Sequence, residues 1–519
     1  MATASSVGQQ SRGRVSAPFG LASNPTLVAL AVTAVLVALR ARGTVDADVA
    51  WQLWIGRQLN HGAHLYGDII EVNPPLWFWM AMPVDRLSTL VHVRADHLLI
   101  LLVGFAAALA LFATDRLIRS ASPLQRTVLL AYSALVLVAM PWTDFGQREH
   151  IALIGAVPYA ALVAARRRGD GVPTGLAIAV GAGAALGFAL KHYFLVVPLL
   201  LEAWLLAEQQ RKWRAIRPET LAVAAVGVVY AVGMLLAARD YFATVLPMLL
   251  LAYGATGAKH AVDLFQPAVL TSLVTIAVLV VSLRFRGSQA SNFASALTVA
   301  AFGFTFSYFV QAKGWSYHAV PMLGCSAIAL AACLSGGAKP PRVAILAAPA
   351  LLCLPFTIAV QQANRKPGAE DDVTRAVQGL RAGDSVAFLS VDPSFGWHDV
   401  LQRGFRFPTR YMGFWMMQAI VTNQHRRDPD PRLVELGDRV VRNVVADLEC
   451  TPPRRILIER PTAEAARGGE FDLFPFLMRE PRFAALMAHY RRADRTGVDS
   501  FDLASPLPRG SGCPAWSPA

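Results

Sequence analysis

What most limits how this chain can fold is the recurrence of long, nearly uncharged apolar runs. They fall at 23–40, 97–115, 127–141, 150–165, 174–190, 193–208, 219–238, 264–283, 293–311, 316–335 and 342–361. A bilayer core takes roughly 20 helical residues to cross and offers no water to unpaired backbone, so runs of this kind become helices. The expected fold is therefore a polytopic α-helical membrane protein with about 11 transmembrane helices. Composition agrees: 55% of the 519 residues are hydrophobic, 16% are charged, and the mean hydropathy is +0.42.

The net charge of +13 does not point to nucleic acid, because much of it lies in short clusters between the apolar runs. Lysine and arginine at such places normally face the cytoplasm. With the N-terminus inside, the cytoplasmic clusters are Arg116/Arg119/Arg126, Arg166/Arg167/Arg168, Arg211/Lys212/Arg214/Arg217, Arg284/Arg286 and Lys339/Arg342. This holds only if 75–92 does not cross. That run carries Asp85 and Arg86 and begins Asn73-Pro74-Pro75, so it reads as an interfacial helix. The opposite face then collects 44–79, 141–150, 190–194, 239–263 and 311–318, which are rich in acids, bases, histidines and aromatics. The cytoplasmic face offers arginine and little else. Ionisable groups at membrane ends are costly unless they line a cavity or bind something, so the outer face is where function is expected.

The chain divides into a disordered cytoplasmic N-terminus (1–22), a membrane domain (23–361) whose first outer loop is 41–96, and a charged, proline-punctuated domain (362–519). An odd number of crossings puts the last part outside. Strand-like SVAFLSV (385–391) and RRILIER (454–460), with helical patterns at 431–448 and 474–491, predict a small extracytoplasmic α/β domain. It shows no catalytic cluster, His398, Asp399 and Asp392 standing apart, and is expected to recognise an acceptor or cover a site. Of five cysteines, Cys325, Cys333 and Cys353 lie in apolar runs, and none has zinc-ligand spacing. Cys450 and Cys513 fall in the polar domain, where a disulfide requires an oxidising compartment.

The stretch 44–79, TVDADVAWQLWIGRQLNHGAHLYGDIIEVNPPLWFW, is too polar to cross. From Asp48, the spacing of Trp51, Trp54, Ile55 and Leu59 predicts an amphipathic helix on the membrane surface, with Gln52, Arg57 and Asn60 off that stripe and Asp46 or Asp48 capping its start. His61 and His64 have a metal-compatible spacing, but Gly62 interrupts any helix there and no third ligand is at hand; no cofactor is expected, and a divalent cation is left open but not indicated. Four carboxylates (Asp46, Asp48, Asp68, Glu71) gather in this loop. Attack by a hydroxyl needs a group that takes the proton, and a placed carboxylate contributes on the order of 10²–10⁴-fold. Asp48 is the candidate base.

The runs Asp48–Arg57 (DVAWQLWIGR) and Leu65–Leu76 (LYGDIIEVNPPL) resemble the first outer loop of GT-C superfamily glycosyltransferases. The likeness is to the group of lipid-A aminoarabinose transferases, protein O-mannosyltransferases and rhizobial core transferases. It implies a GT-C-like membrane domain and a polyprenyl-phosphate-linked sugar donor, with a glycan or lipid acceptor, in cell-surface polysaccharide or lipopolysaccharide assembly at the bacterial plasma membrane. In that family an aspartate opening this loop is the presumed base, commonly followed by glutamate. Asp48 matches it, while Val49 replaces the glutamate and leaves the second acid's part to Asp46, Asp68 or Glu71. A lipid phosphate leaving group needs fixed cations at the outer ends of the spans. Candidates are Arg148, Lys191, Lys313, Arg57 and Lys259, with His150, His192 and His318 beside them. Trp77, Trp79, Trp315, Tyr317 and Tyr193 fit either sugar stacking or an interfacial belt. Two other readings compete. A flippase for lipid-linked sugars would place ionisable groups near mid-membrane. A non-catalytic scaffold would carry its business in the outer domain.

Overall fold

The computed structural model describes residues 24–118, 122–256, 261–286, 291–335, 342–364, 368–460, 471–493, 497–507 and 513. The expectations for 1–22 and for Arg119, Lys259 and Lys339 lie outside those residues. The membrane domain is helical throughout: α1 (Pro25–Arg40), α2 (Ala47–Asn60), α3 (Leu76–Val91), α4 (Ala95–Leu117), α5 (Pro123–Val138), α6 (Arg148–Arg168), α7 (Thr174–Ala189), α8 (Val196–Gln209), α9 (Pro218–Ala237), α10 (Leu246–Thr256), α11 (Pro267–Arg286), α12 (Asn292–Gln311), α13 (Val320–Leu334) and α14 (Arg342–Asn364). Among the described residues six helical stretches are long and apolar enough to cross a membrane: α4, α9, most of α11, α12, Ser316–Leu334 and most of α14. The chain is a multi-pass membrane protein.

Burial separates the helices into a centre and a periphery. α6 and α13 are enclosed almost entirely, whereas α9 turns Val228, Val229, Leu235 and Leu236 outward. An apolar helix exposed all round needs lipid, not water, beside it. The centre is packed through small residues. A Cβ on Gly155 of α6 would sit 3.0 Å from Ala184 Cα of α7, so the two backbones approach as small-residue membrane interfaces do. At about 1.5 Å per residue, the 21 residues of α6 span roughly 30 Å and carry Arg148 at one end and Arg166–Arg168 at the other.

The remaining helices are α15 (Gly368–Ala376), α16 (Trp397–Arg403), α17 (Met417–Gln424), α18 (Pro431–Cys450), α19 (Leu473–Leu477) and α20 (Pro481–Met487). They surround a four-stranded sheet of β1 (Val386–Leu389), β2 (Arg455–Ile458), β3 (Tyr490–Ala493) and β4 (Asp499–Leu503) in the order β1-β2-β4-β3. β1 and β2 are parallel, with Val386 opposite Arg455; the other pairs are antiparallel. β1 and β2 are buried on both faces, which is why Val386–Leu389 and Ile456–Ile458 read as unbroken apolar runs. The helical pattern over 474–491 is corrected: Pro481 cannot continue a helix and starts a new one, and the segment ends in β3. A disulfide joins Cys450, the last residue of α18, to Cys513.

This α/β unit sits on the first loop of the membrane domain. Trp51 and Trp54 of α2 pack on Trp397 and Phe407, with Trp51 and Trp397 ring centres 4.5 Å apart. Ile70 N donates to Arg410 O (2.8 Å), and a ring nitrogen of His398 lies 2.8 Å from Val45 O. The amphipathic reading of α2 is corrected accordingly. Gln52 and Gln58 are buried along with the tryptophans, because α3 covers one side and the C-terminal domain another.

Candidate active site

Asp46, not Asp48, caps α2: its carboxylate accepts from Asp48 N at 2.9 Å. It also accepts from Gln147 Nε2 at 2.9 Å. Burial, reinforced by the charge of Asp48, pushes the Asp46 carboxyl up to about 6. Asp48 stands in the first turn, where the helix dipole favours an anion, with its side chain 28% exposed. Its Oδ2 is 3.5 Å from Gln147 Nε2 and 3.8 Å from Arg148 Nη2.

Gln147 and Arg148 arrive there through a tight turn. Gly146 takes φ +87°, a left-handed conformation that suits glycine, and its carbonyl accepts from Trp77 Nε1 at 3.3 Å. Its N–H donates to His150 Nδ1 (3.0 Å), while His150 Nε2 donates to Leu137 O (2.7 Å). His150, expected to face a phosphate, therefore has both nitrogens engaged with backbone and clamps the turn instead. Arg148 is 3% exposed, and its Nε and Nη1 have no hydrogen-bond partner among the described residues.

Next to Arg148, Lys191 Nζ reaches Glu149 Oε1 (2.6 Å), His318 Nε2 (3.0 Å) and Gln311 Oε1 (3.1 Å). Burial lowers the Lys191 ammonium to about 8, against the opposing pull of Glu149. Glu149 Oε2 and His318 Nδ1 are again buried and unpartnered among the described residues. On the loop side, Glu71 accepts from Trp51 Nε1, from Asn73 N (2.8 Å) and from Asn73 Nδ2 (2.6 Å). Burial raises its pKa, partly offset by those donors.

These groups line one cavity of about 830 Å³. It draws on all five polar segments of the outer face and brings together Asp46, Asp48, Glu71, Arg148, Lys191, His192, Lys313 and His318. His192 is exposed and lies tilted at 42° to Tyr193 (ring centres 3.8 Å apart), and Lys313 Nζ lies 3.2 Å from the centre of the Tyr253 ring. Tyr193, Trp315 and Tyr317 also face the cavity, as do Leu246, Leu249 and Leu250 of α10. Two candidates do not join. Asp68 closes a turn by accepting from His64 N (2.8 Å), and Arg57 points outward from the far face of α2. His61 caps the C-terminal end of α2, its Nδ1 2.8 Å from Arg57 O. No group of three His, Cys, Asp or Glu suited to a metal occurs among the described residues.

The cavity also holds residues that sequence reasoning missed. Asp144, buried and with its pKa well up mainly through that burial, lies four residues from Arg148 and belongs to an outer loop already singled out. Gln147, which is fully buried behind the Asp46 and Asp48 carboxylates and not on the cavity wall, carried no signal as a neutral side chain. Asp392, read as isolated, lines the rim with Pro393, Ser394, Met412 and Trp415; only the docking of the C-terminal domain brings them there.

The fold is similar to that of a solved GT-C membrane glycosyltransferase. The aminoarabinose transferase ArnT from Cupriavidus metallidurans, solved with undecaprenyl phosphate bound, shares it with a TM-score of 0.53 at 13% identity, over 95% of this chain and 100% of that one. The mycobacterial arabinofuranosyltransferase AftD gives 0.47 at 14% identity, over 93% of this chain and 40% of that one. The oligosaccharyltransferase AglB from Archaeoglobus fulgidus, in complex with an inhibitory peptide and a dolichol-phosphate, gives 0.44 at 10% identity, over 93% and 74%. No protein-family model and no curated protein matches the sequence.

Proposed function

We propose that the protein is a membrane glycosyltransferase that moves a sugar from a polyprenyl-phosphate-linked donor to a hydroxyl of a glycan or lipid acceptor on the outer face of a bacterial plasma membrane. The observation that carries this reading is that Asp48 and the unsatisfied guanidinium of Arg148 face the same cavity, with Lys191 and His318 beside them. In the proposed reaction Asp48 takes the acceptor hydroxyl's proton as its oxygen bonds to the anomeric carbon. The bond from that carbon to the phosphate oxygen breaks, and its electron pair leaves with the lipid phosphate. Arg148, Lys191 and Lys313 meet that charge, with His318 and His192 as supporting donors; fixed cations in a partly dry site stabilise it strongly. Asp46 holds Asp48 through the cap, and Glu71 holds the loop. Leu246, Leu249 and Leu250 suit the start of a polyprenyl tail.

The same reading gives eleven crossings, a cytoplasmic N-terminus and an extracytoplasmic C-terminal domain. The positive-inside pattern and the Cys450–Cys513 bond, which suits an oxidising compartment, support it. The test is transfer by purified protein from undecaprenyl-phosphate sugars, with acceptors drawn from the surface glycans and lipid A that change in a deletion strain. Asp48→Asn protein that is folded and fully active would overturn the proposal.

A further inference from the structure

Gln147 is fully buried and carries no charge, yet its side chain joins the two segments that meet at the site. It occupies the N-cap of α6 but leaves that helix's own N–H groups alone and crosses to α2. There Nε2 donates to Asp46 Oδ1 at 2.9 Å and reaches Asp48 Oδ2 at 3.5 Å. The turn that aims it is fixed by Gly146 and by the His150 clamp. Oε1 is left buried without a partner among the described residues. A methionine of the same length would fill the space without that cost, so packing alone does not account for an amide here. Turned over, the amide would press Oε1 against two carboxylates; only Nε2, with two hydrogens, suits both at once.

We propose that Gln147 is a positioning residue for the candidate base: its carboxamide holds Asp48 Oδ2 and so turns Oδ1 toward the acceptor hydroxyl. The inference rests on the transfer reading for the role of Asp48. Oδ2 meets Gln147 and, at 3.8 Å, Arg148, whereas no hydrogen bond to Oδ1 occurs among the described residues. Charge explains why the holder is neutral. Asp48 is faced by Asp46 on its own helix, by Asp144 and Arg148 of the second outer loop and α6, by Lys191 and by Tyr317, and Asp46 in turn by His398 of the C-terminal domain. The two neighbouring acids disfavour the ionised form of Asp48 and the two cations favour it, but an entering lipid phosphate draws on the same cations. An amide keeps its bond to Asp48 whatever fills the cavity, because it has no charge for a phosphate to compete for. A lysine or arginine in its place would join the phosphate or make Asp48 a weaker base, and a glutamate would add one more acid.

The test uses full-length protein in lipid nanodiscs and two substitutions of similar length: Gln147→Met, which removes the donor, and Gln147→Glu, which adds a charge. Two quantities are followed against pH. One is transfer from undecaprenyl-phosphate sugars; the other is labelling of Asp48 by a water-soluble carbodiimide, which attacks protonated carboxyls, read by peptide mass spectrometry. Gln147→Met should lower kcat about tenfold, the worth of one hydrogen bond to a charged group, with the donor's KM unchanged. It should also move the acid limb of kcat/KM and the midpoint of Asp48 labelling together to higher pH, by roughly one unit, because a carboxylate that loses a donor holds its proton more tightly. Gln147→Glu should move both further. Undecaprenyl phosphate binding should persist in both variants, which reports that each is folded. Transfer by the parent with both midpoints indifferent to Gln147→Met, whether or not kcat falls, would overturn the inference and leave the transfer reading standing. A shift confined to the labelling of Asp46 would do the same, since Gln147 would then serve the cap alone. A shift in Asp48 labelling in a protein that transfers no sugar would uphold the hold on Asp48 and count against the transfer reading.

Discussion

The two ends of α6 carry similar residues in opposite conditions. At the Arg166 end every charge is closed. Arg166 donates twice to the buried Glu219 at 2.9 Å, Arg217 adds a third bond at 2.9 Å, Arg167 pairs with Glu208 and Arg168 with Asp170. At the Arg148 end, among the described residues, Arg148 Nε and Nη1, Glu149 Oε2, His318 Nδ1 and Gln147 Oε1 are buried without partners. A buried polar atom left unpaired costs about 1–3 kcal/mol, so such a cluster persists only where something else completes it. One end holds the bundle together; under the proposed function the other is left open for a ligand. The sharpest break of this contrast is Asp48→Asn. It should lower transfer by on the order of 10²–10⁴-fold while leaving the melting temperature near that of the parent, measured by initial rates and thermal unfolding in the same detergent.

Matched arginine variants come next. Arg148→Gln should weaken undecaprenyl phosphate binding on the order of tenfold or more, the worth of a charge-assisted contact, without loss of stability, since it breaks no close pair. Arg166→Gln should do the reverse. Glu219 keeps Arg217 but loses two bonds, so stability should fall by roughly 1–3 kcal/mol, with donor affinity unchanged in the protein that remains folded. If both variants damage binding equally, or both damage stability equally, the two ends are not different in kind.

Much of this contrast was legible in the chain, but only from one side. Long uncharged runs placed the helices of the membrane domain, and positive-inside charge picked out the face whose segments line the cavity. The basic face was misread as arginine with little else, because Glu202, Glu208 and Glu219 look unremarkable until packing sets them against Arg217, Arg167 and Arg166. The same blindness hid the rim: Asp392 and Trp415 reach the site through contacts more than 300 residues from Asp48 in sequence, and no local pattern encodes that. Asp68 misled for the opposite reason. An acid next to a glycine inside a turn satisfies a backbone N–H just as readily as it serves chemistry.

Acidity sharpens the comparison at a single residue. Burial lowers Lys191 to about 8, so its ammonium is largely intact at pH 7 and is lost as pH rises through that value. Donor affinity should therefore begin to fall, on an alkaline limb, as pH rises through about 8, the value of the free site, and level off where the bound phosphate's stabilised lysine also loses its proton. For stability the sign is opposite: above about 8 the folded state has released a proton that the unfolded chain still binds, so this group's burial penalty shrinks as pH rises. Lys191→Arg stays charged throughout and should flatten the limb in binding titrations between pH 7 and 9.5. A limb that survives in Lys191→Arg belongs to another group.

The smallest effects are expected at the two loop residues that the fold leaves outside the cavity. Asp68→Asn keeps an oxygen for His64 N and removes only the carboxylate's charge, and Arg57→Ala truncates an exposed side chain. Each should change stability by less than about 1 kcal/mol and leave the donor's KM and kcat within twofold or so, since neither touches the cavity. Asp48 and Asp68 lie in one loop with the same side-chain chemistry. A loss in Asp68→Asn comparable to that in Asp48→Asn would mean that charge anywhere in the loop suffices; an unaffected Asp68→Asn beside an inactive Asp48→Asn ties the chemistry to the carboxylate that meets Arg148.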